Sequence, residues 1–224
     1  MDSSSERQNP PVRPSRAVVP ALLLACLATL AQAQQPAGAV DPYHVLLQRL
    51  QAKDTSIDFT VLRLGLTKSA DYSPYGSDAD TYQDSLRVAL ERRDFRHAVA
   101  EADSALAIDY LDVRTHVYRA YAIEQLGDST AAAWDHVVAS RLVRSISESG
   151  AGTVDSPYVV ISVSEEYALL NMTGYESDGQ ALGKCGARPC DVLDVHNHRT
   201  GAKRRVYFDI SLPEAFLDRM LKPQ

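Results

Sequence analysis

Near the C-terminus, Cys185, Cys190, His196 and His198 are of the residue types that either ligate zinc or, for the thiols, form a disulfide. Four N/S ligands would close a tetrahedral zinc site. On a strand, His196 and His198 point to one face, and that face would also have to meet both thiols. A disulfide between Cys185 and Cys190, closing a small loop between two strands, asks less of the geometry and is the expectation in an oxidising compartment. A zinc site and free thiols are the alternatives. His116 and His136 are a second pair that two packed helices would bring towards each other. A relay or metal role would need a carboxylate beside them, and Asp135 is expected to point elsewhere, so a hydrogen-bonded core histidine is the expected role. Glu165 and Glu166 resemble an acid–base pair, yet neighbours on a helix point about 100° apart. Stabilising a helix start explains them more economically. Arg199, Lys203, Arg204 and Arg205 form a basic turn that would attract anionic envelope polymers if it is not simply solvated. The chain has no G-x-S-x-G, no H-E-x-x-H and no phosphate-binding G-x-x-x-x-G-K-[ST].

The elements that must carry these groups fall into two kinds. From Ala79 to Ile146 the chain repeats itself: Asp94 and Asp128, Ala98 and Ala132, and Ala105 and Ala139 are each 34 residues apart (128 − 94, 132 − 98, 139 − 105). That is the period of the tetratricopeptide repeat, a pair of antiparallel helices. Small alanines, with Ala102 a further one, let paired helices approach, and Arg93-Asp94 and Gly127-Asp128 fall where each pair turns. Two units are expected, at 79–112 and 113–146. Tyr82 and His116 stand where such repeats carry a large Trp, and Tyr110 where they close with Pro. The first helix of each unit would line a concave face bearing Arg87, Glu91, Arg114, Tyr118, Tyr121 and Glu124, a mixture suited to a peptide or protein. The flanking chain could instead fill that face, leaving the repeat structural.

Before the repeat, Asp41-Pro42 reads as an N-cap followed by Pro at the first helical position. A second short helix is expected over Asp58 to Leu66. A loop from Thr67 to Asp78 follows, pinned to the body by Tyr72, Pro74 and Tyr75. After Ser149-Gly150-Ala151-Gly152 the periodicity shifts toward two. Strands are expected at Tyr158–Val163, Gln180–Leu182, Val192–His196 and Arg205–Ile210, with a short helix from Ser164 to Leu170 and a terminal one opened by Pro213. The fold class is therefore α+β: a helical region over 41–148 and an α+β half over 149–224, packed on the helices, with a small, mainly antiparallel sheet and a C-terminal helix.

The first 33 residues read as a signal peptide. Arg7, Arg13 and Arg16 precede an apolar run from Ala17 to Leu30, and Ala31-Gln32-Ala33 supplies the small residues of a cleavage site. The run is shorter than the roughly 20 residues a spanning helix needs. Leu23-Leu24-Ala25-Cys26 approximates a lipidation site, which would make the protein membrane-anchored. Residues 34–40 form a weakly structured lead. The formal charge of −6 becomes −7 without the leader, which removes three basic and two acidic residues. So acidic a body argues against a nucleic-acid partner.

Several landmarks coincide with one family. Asp58-Phe59 with Leu62-Arg63, Tyr72-Ser73-Pro74-Tyr75, His116, Ser149-Gly150 with Gly152, Val160-Ile161 with Glu166-Tyr167, and Tyr207-Phe208-Asp209-Ile210 resemble the signatures of domain-of-unknown-function family 4919, found in exported bacterial proteins. The resemblance covers roughly Asp41 to Leu212 and implies export and a single module; it implies no activity. Ala151, where an acidic residue is expected, and the Cys185–Cys190 insert depart from the pattern. The functional expectation is a non-catalytic exported module, periplasmic or secreted, that needs no cofactor and binds a protein or peptide of the cell envelope. The alternative is a periplasmic, hydrolase-like enzyme with its site between repeat and sheet. Membrane contact is expected only through Cys26.

Overall fold

Asp41, Asp58, Asp94, Asp112 and Asp128 each accept a backbone N–H of the turn that follows, and each starts a helix. Such caps satisfy donors that a helix start leaves orphaned, at about 1 kcal/mol apiece. The computed structural model describes residues 41–222; the leader, the Cys26 alternative and the lead at 34–40 lie outside that range. The helices in chain order are α1 (Pro42–Gln51), α2 (Phe59–Leu66), α3 (Ala79–Glu91), α4 (Phe95–Ile108), α5 (Val113–Gln125) and α6 (Ser129–Ser147). The second half contains β1 (Tyr158–Val159), α7 (Val163–Met172), β2 (Tyr175–Cys185), β3 (Arg188–Asn197), β4 (Lys203–Asp209) and α8 (Ser211–Leu221). This is an α+β fold, and none of the described helices is long and apolar enough to cross a membrane.

The 34-residue spacing is visible in the helices themselves. α5 begins 113 − 79 = 34 residues after α3, and α6 begins 129 − 95 = 34 after α4. Both turns use one device: Arg93 and Gly127 take left-handed conformations (φ 58° and 91°). The amide of the next residue reaches back five positions, Asp94 N–H to the Ala89 carbonyl and Asp128 N–H to that of Ile123. Ala98, Ala102, Ala105, Ala132 and Ala139 are buried where the helices approach. One small core joins Leu86, Ala89, Ala98, Ala102 and Ala122 between α3, α4 and α5. The principal core joins α1, α2 and α6 to the sheet through Leu50, Leu62, Leu142, Ile146, Leu193 and Phe208.

The sheet has strand order β1-β4-β3-β2. β2, β3 and β4 form antiparallel hairpins, while β1 lies parallel to β4, Tyr158 opposite Phe208. β2 and β3 are longer than their apolar content suggests, and the Cys185–Cys190 disulfide joins their ends. The expected strand at Tyr158–Val163 shrinks to two residues. Val160 N–H still bonds the Asp209 carbonyl, but the Ile161 amide is taken by the Glu165 side chain and α7 begins at Val163.

β1 reaches the sheet because the chain doubles back tightly after α6. A Cβ on Gly150 would lie 2.2 Å from the Pro157 carbonyl oxygen, a backbone atom that cannot rotate away. Gly150→Ala should therefore destabilise the protein by about 2 kcal/mol or more in urea unfolding, within the range for forced overpacking. Gly179→Ala, where no atom lies within 4 Å, should change it by no more than about 0.5 kcal/mol. Equal effects of the two substitutions would contradict this packing.

Candidate functional site

The segment from Tyr158 to Glu165 is where the two halves meet, and Arg63 holds it. The register that buries Phe59 and Leu62 of α2 also buries Arg63, which has 0% exposure. A guanidinium is that deep only when its charge and donors are met. Its Nη1 donates to Ser145 Oγ of α6 at 2.9 Å and its Nη2 to the Val159 carbonyl. Nε lies 2.7 Å from Glu165 Oε1 of α7, a charge contact out of line with the N–H itself. Glu165 Oε2 accepts the Ile161 amide at 2.9 Å. Tyr72 donates its hydroxyl to the Ile161 carbonyl at 2.6 Å, and Ser149 Oγ accepts the Val159 amide at 2.8 Å. Burial raises the Glu165 carboxyl and Arg63 opposes that rise.

Fixed in this way, Ser162 and Ser164 at the start of α7 face a cleft. Its inner end is a cavity of about 60 Å³ walled by Tyr43, Leu66, Leu111 and Ile161, with Asp109, Asp112 and Glu165 among its polar groups. Ser73, Asp109, Asp112, Ser162 and Ser164 are shared with a wider cavity of about 430 Å³ beneath Tyr75 and Tyr167. Asp80, Gln83 and Arg114 are shared in turn with a cavity of about 390 Å³ between α3 and α5. The three form one continuous groove from the α7 start along the α3/α5 face. Burial, together with the Asp112 charge, pushes the Asp109 carboxyl up to about 7. Burial also raises the Tyr43 and Tyr72 hydroxyls, so both stay neutral.

The six residues expected on the concave face divide. Arg87, Arg114 and Tyr118 line the groove, with Arg114 donating to Gln83 at 3.0 Å and Arg87 paired with Glu91 at 2.6 Å. Tyr121 packs edge-on against Phe95, and Glu124 pairs with His136 at 2.8 Å, so these two face the second helices rather than the groove. Asp135 does not point away. It is buried and accepts from His116 Nδ1 at 2.7 Å and Arg119 at 2.6 Å, while His116 Nε2 meets the Tyr110 carbonyl at 2.9 Å. With Asp135 at one ring nitrogen and the Tyr110 carbonyl at the other, the His116 ring is fixed in the core. His136 lies on the surface, so the two histidines do not form a pair. Half of the basic turn is matched by acids, Lys203 with Asp178 and Arg205 with Asp194, and Arg204 stacks on the Tyr175 ring. The S–S bond removes both thiols from any zinc site.

Glu166 was expected only to favour a helix start. It is completely buried, and its two oxygens have no donor among the described residues. Burial and the adjacent Asp191 of β3 push its carboxyl up to about 9, so it is neutral at pH 7. Gln180 closes the chain, donating to Asp191 at 2.7 Å and accepting from the Tyr167 hydroxyl at 2.9 Å. The sequence offered one signal: Ser164, Tyr167 and Asn171, at i, i+3 and i+7, mark the outer face of α7, and Glu166 lies off that face.

The model of the family described as "Domain of unknown function (DUF4919)" matches residues 38–218. No curated protein and no solved structure matches the chain.

The neutral Glu166 has a consequence for pH. Between the ordinary glutamate value near 4.5 and about 9, the folded protein holds a proton that the unfolded chain has released. Stability must therefore fall as pH rises through that window. Glu166→Gln, which keeps the shape and a donor toward Asp191, should match wild type at pH 4 and become progressively more stable than it towards pH 9. Urea unfolding from pH 4 to 9 checks this, and parallel curves would contradict it.

Proposed function

We propose that this chain, which belongs to the DUF4919 family, is a non-catalytic, exported module of the bacterial cell envelope that binds a peptide or an extended segment of another protein. The observation that carries this reading is the open groove: the α3/α5 face is bounded at one end by α7 and the 73–77 loop, and is not filled by them. Its lining mixes Arg87, Arg114, Asp80, Gln83, Tyr75 and Tyr118, polar groups able to satisfy a peptide backbone beside aromatic area. The repeated caps and left-handed turns support a tetratricopeptide-like origin for that face. Export rests on the leader, and the Cys185–Cys190 bond is compatible with it.

A hydrolase-like alternative draws on Asp109, which is poised near neutrality and lines the same cavity as Ser162 and Ser164. Among the described residues lining the two inner cavities there is no histidine or cysteine to complete a nucleophilic site, which favours binding. The chain should be expressed with its leader and recovered from the periplasm beginning at Gln34. It should then enrich specific peptides from a random displayed library, and Arg114→Glu should weaken the selected peptides at least tenfold. Cytoplasmic retention of the uncleaved chain would sink the export reading. Failure to enrich, or indifference to Arg114, would sink the groove.

A further inference from the structure

We propose that the inner end of this groove is a pocket for a basic side chain of the bound peptide, a lysine ammonium or arginine guanidinium, with Asp109 and Asp112 as its counter-charges. The inference rests on the peptide-groove reading and deepens it. Asp112 is 5% exposed and lines both inner cavities. Its Oδ1 caps α5, accepting the Thr115 amide and hydroxyl at 2.7 Å, while Oδ2 receives no hydrogen bond from any described residue. Asp109 lines the same cavities and accepts only the Leu111 amide, at 3.1 Å on Oδ1. Each carboxylate thus offers the cavity an oxygen that the described fold leaves unused.

The nearby basic side chains are committed elsewhere. Arg63 faces Glu165, His116 faces Asp135 and the Tyr110 carbonyl, and Arg114 bonds Gln83 farther along the groove. Desolvation first, and then the Asp112 charge, raises the Asp109 carboxyl, because no described lysine or arginine pairs with either acid. A cationic guest offsets that rise. The cavity of about 60 Å³ suits a terminal ammonium or guanidinium, and its apolar wall of Tyr43, Leu66, Leu111 and Ile161 suits a methylene stem. A metal ion is a poorer guest, since among the described residues no three acidic, histidine or cysteine side chains converge to hold one. Farther along, the groove mixes Asp80 and Asp84 with Arg87 and Arg114, so its acids stand without a basic neighbour only at the inner end.

The test uses acetylated, amidated alanine pentapeptides with a central lysine, arginine, norleucine or glutamate, titrated into the mature, disulfide-bonded protein by NMR. Lysine and arginine peptides should shift amides at Leu111–Thr115 and Ser162–Glu165 and bind at least tenfold tighter than norleucine or glutamate. Asp112→Asn keeps an oxygen for the α5 cap and should remove that preference. Binding should also tighten from pH 6 to 8 as Asp109 ionises; the groups facing it are Asp112, Glu165, His116 and Tyr43. Norleucine binding as tightly as lysine, or Asp112→Asn without effect, overturns the pocket but leaves the groove standing if binding still needs Arg114. Calcium chloride alone shifting the same amides overturns it in favour of a metal site. No binding by any peptide, with no enrichment from the library, overturns both readings.

Discussion

Arg63 and Glu165 come from helices about a hundred residues apart in the chain, and their buried pairing is what the rest of the junction depends on. A guanidinium at 0% exposure is tolerable only with its charge and donors met. Here the partners are chosen so that one side chain ties α2 to α6, to β1 and to α7. Glu165 then spends its second oxygen on the Ile161 amide, which ends the strand after two residues and turns the chain into α7. Remove the arginine and Glu165 is left as a buried, unmatched carboxylate at the point where helices and sheet are joined. The pair thus sets where α7 begins, and so where Ser162 and Ser164 meet the groove.

Around this ion pair the protein buries more acid than it neutralises. Asp109, Asp112 and Glu165 border one cavity, and Glu166 with Asp191 lies on the sheet side of α7. Each acid is accommodated differently: Glu165 by a cation, Glu166 by keeping its proton, Asp112 by capping α5, and Asp109 by titrating near neutrality. Only the last two leave oxygens turned to open space. The groove's chemistry is therefore concentrated at its inner end, while the α3/α5 face supplies length, aromatic area and charge of both signs.

Much of this was legible in the sequence, and the reason is that the legible parts are local. An aspartate before a helix, a small residue at a fixed spacing and a turn residue before a cap each act within a few positions, so Asp94, Asp128, Ala98, Ala132 and Gly127 announced their roles. The signature residues Leu62-Arg63, Tyr72, Ser149, Val160-Ile161 and Tyr207-Phe208 were visible, but not that they converge on one segment. The pairing of Arg63 with Glu165 and of Glu166 with Asp191 depends on how helices dock on a sheet, which no spacing encodes. Within the repeat, a rotation of a few tens of degrees separates groove from flank. That is why Arg114 and Tyr118 line the groove while Tyr121, about one turn on, and Glu124, nearly two, do not. His116 was rightly placed in the core, but its partner Asp135 was not foreseen, because the direction of a helical side chain depends on the neighbour it meets.

The most direct test of this account is amide hydrogen exchange at Val159, Val160 and Ile161, whose N–H groups bond Ser149 Oγ, the Asp209 carbonyl and Glu165 Oε2. In Arg63→Met these three amides should exchange at least tenfold faster than in wild type, while those of Ala98–Leu106 in α4 keep their protection. If that variant fails to fold, Glu165→Gln should give the same local pattern in milder form. Protection at Val160 and Ile161 that survives loss of the Arg63 charge would contradict the account, because the junction would then be held by apolar packing alone.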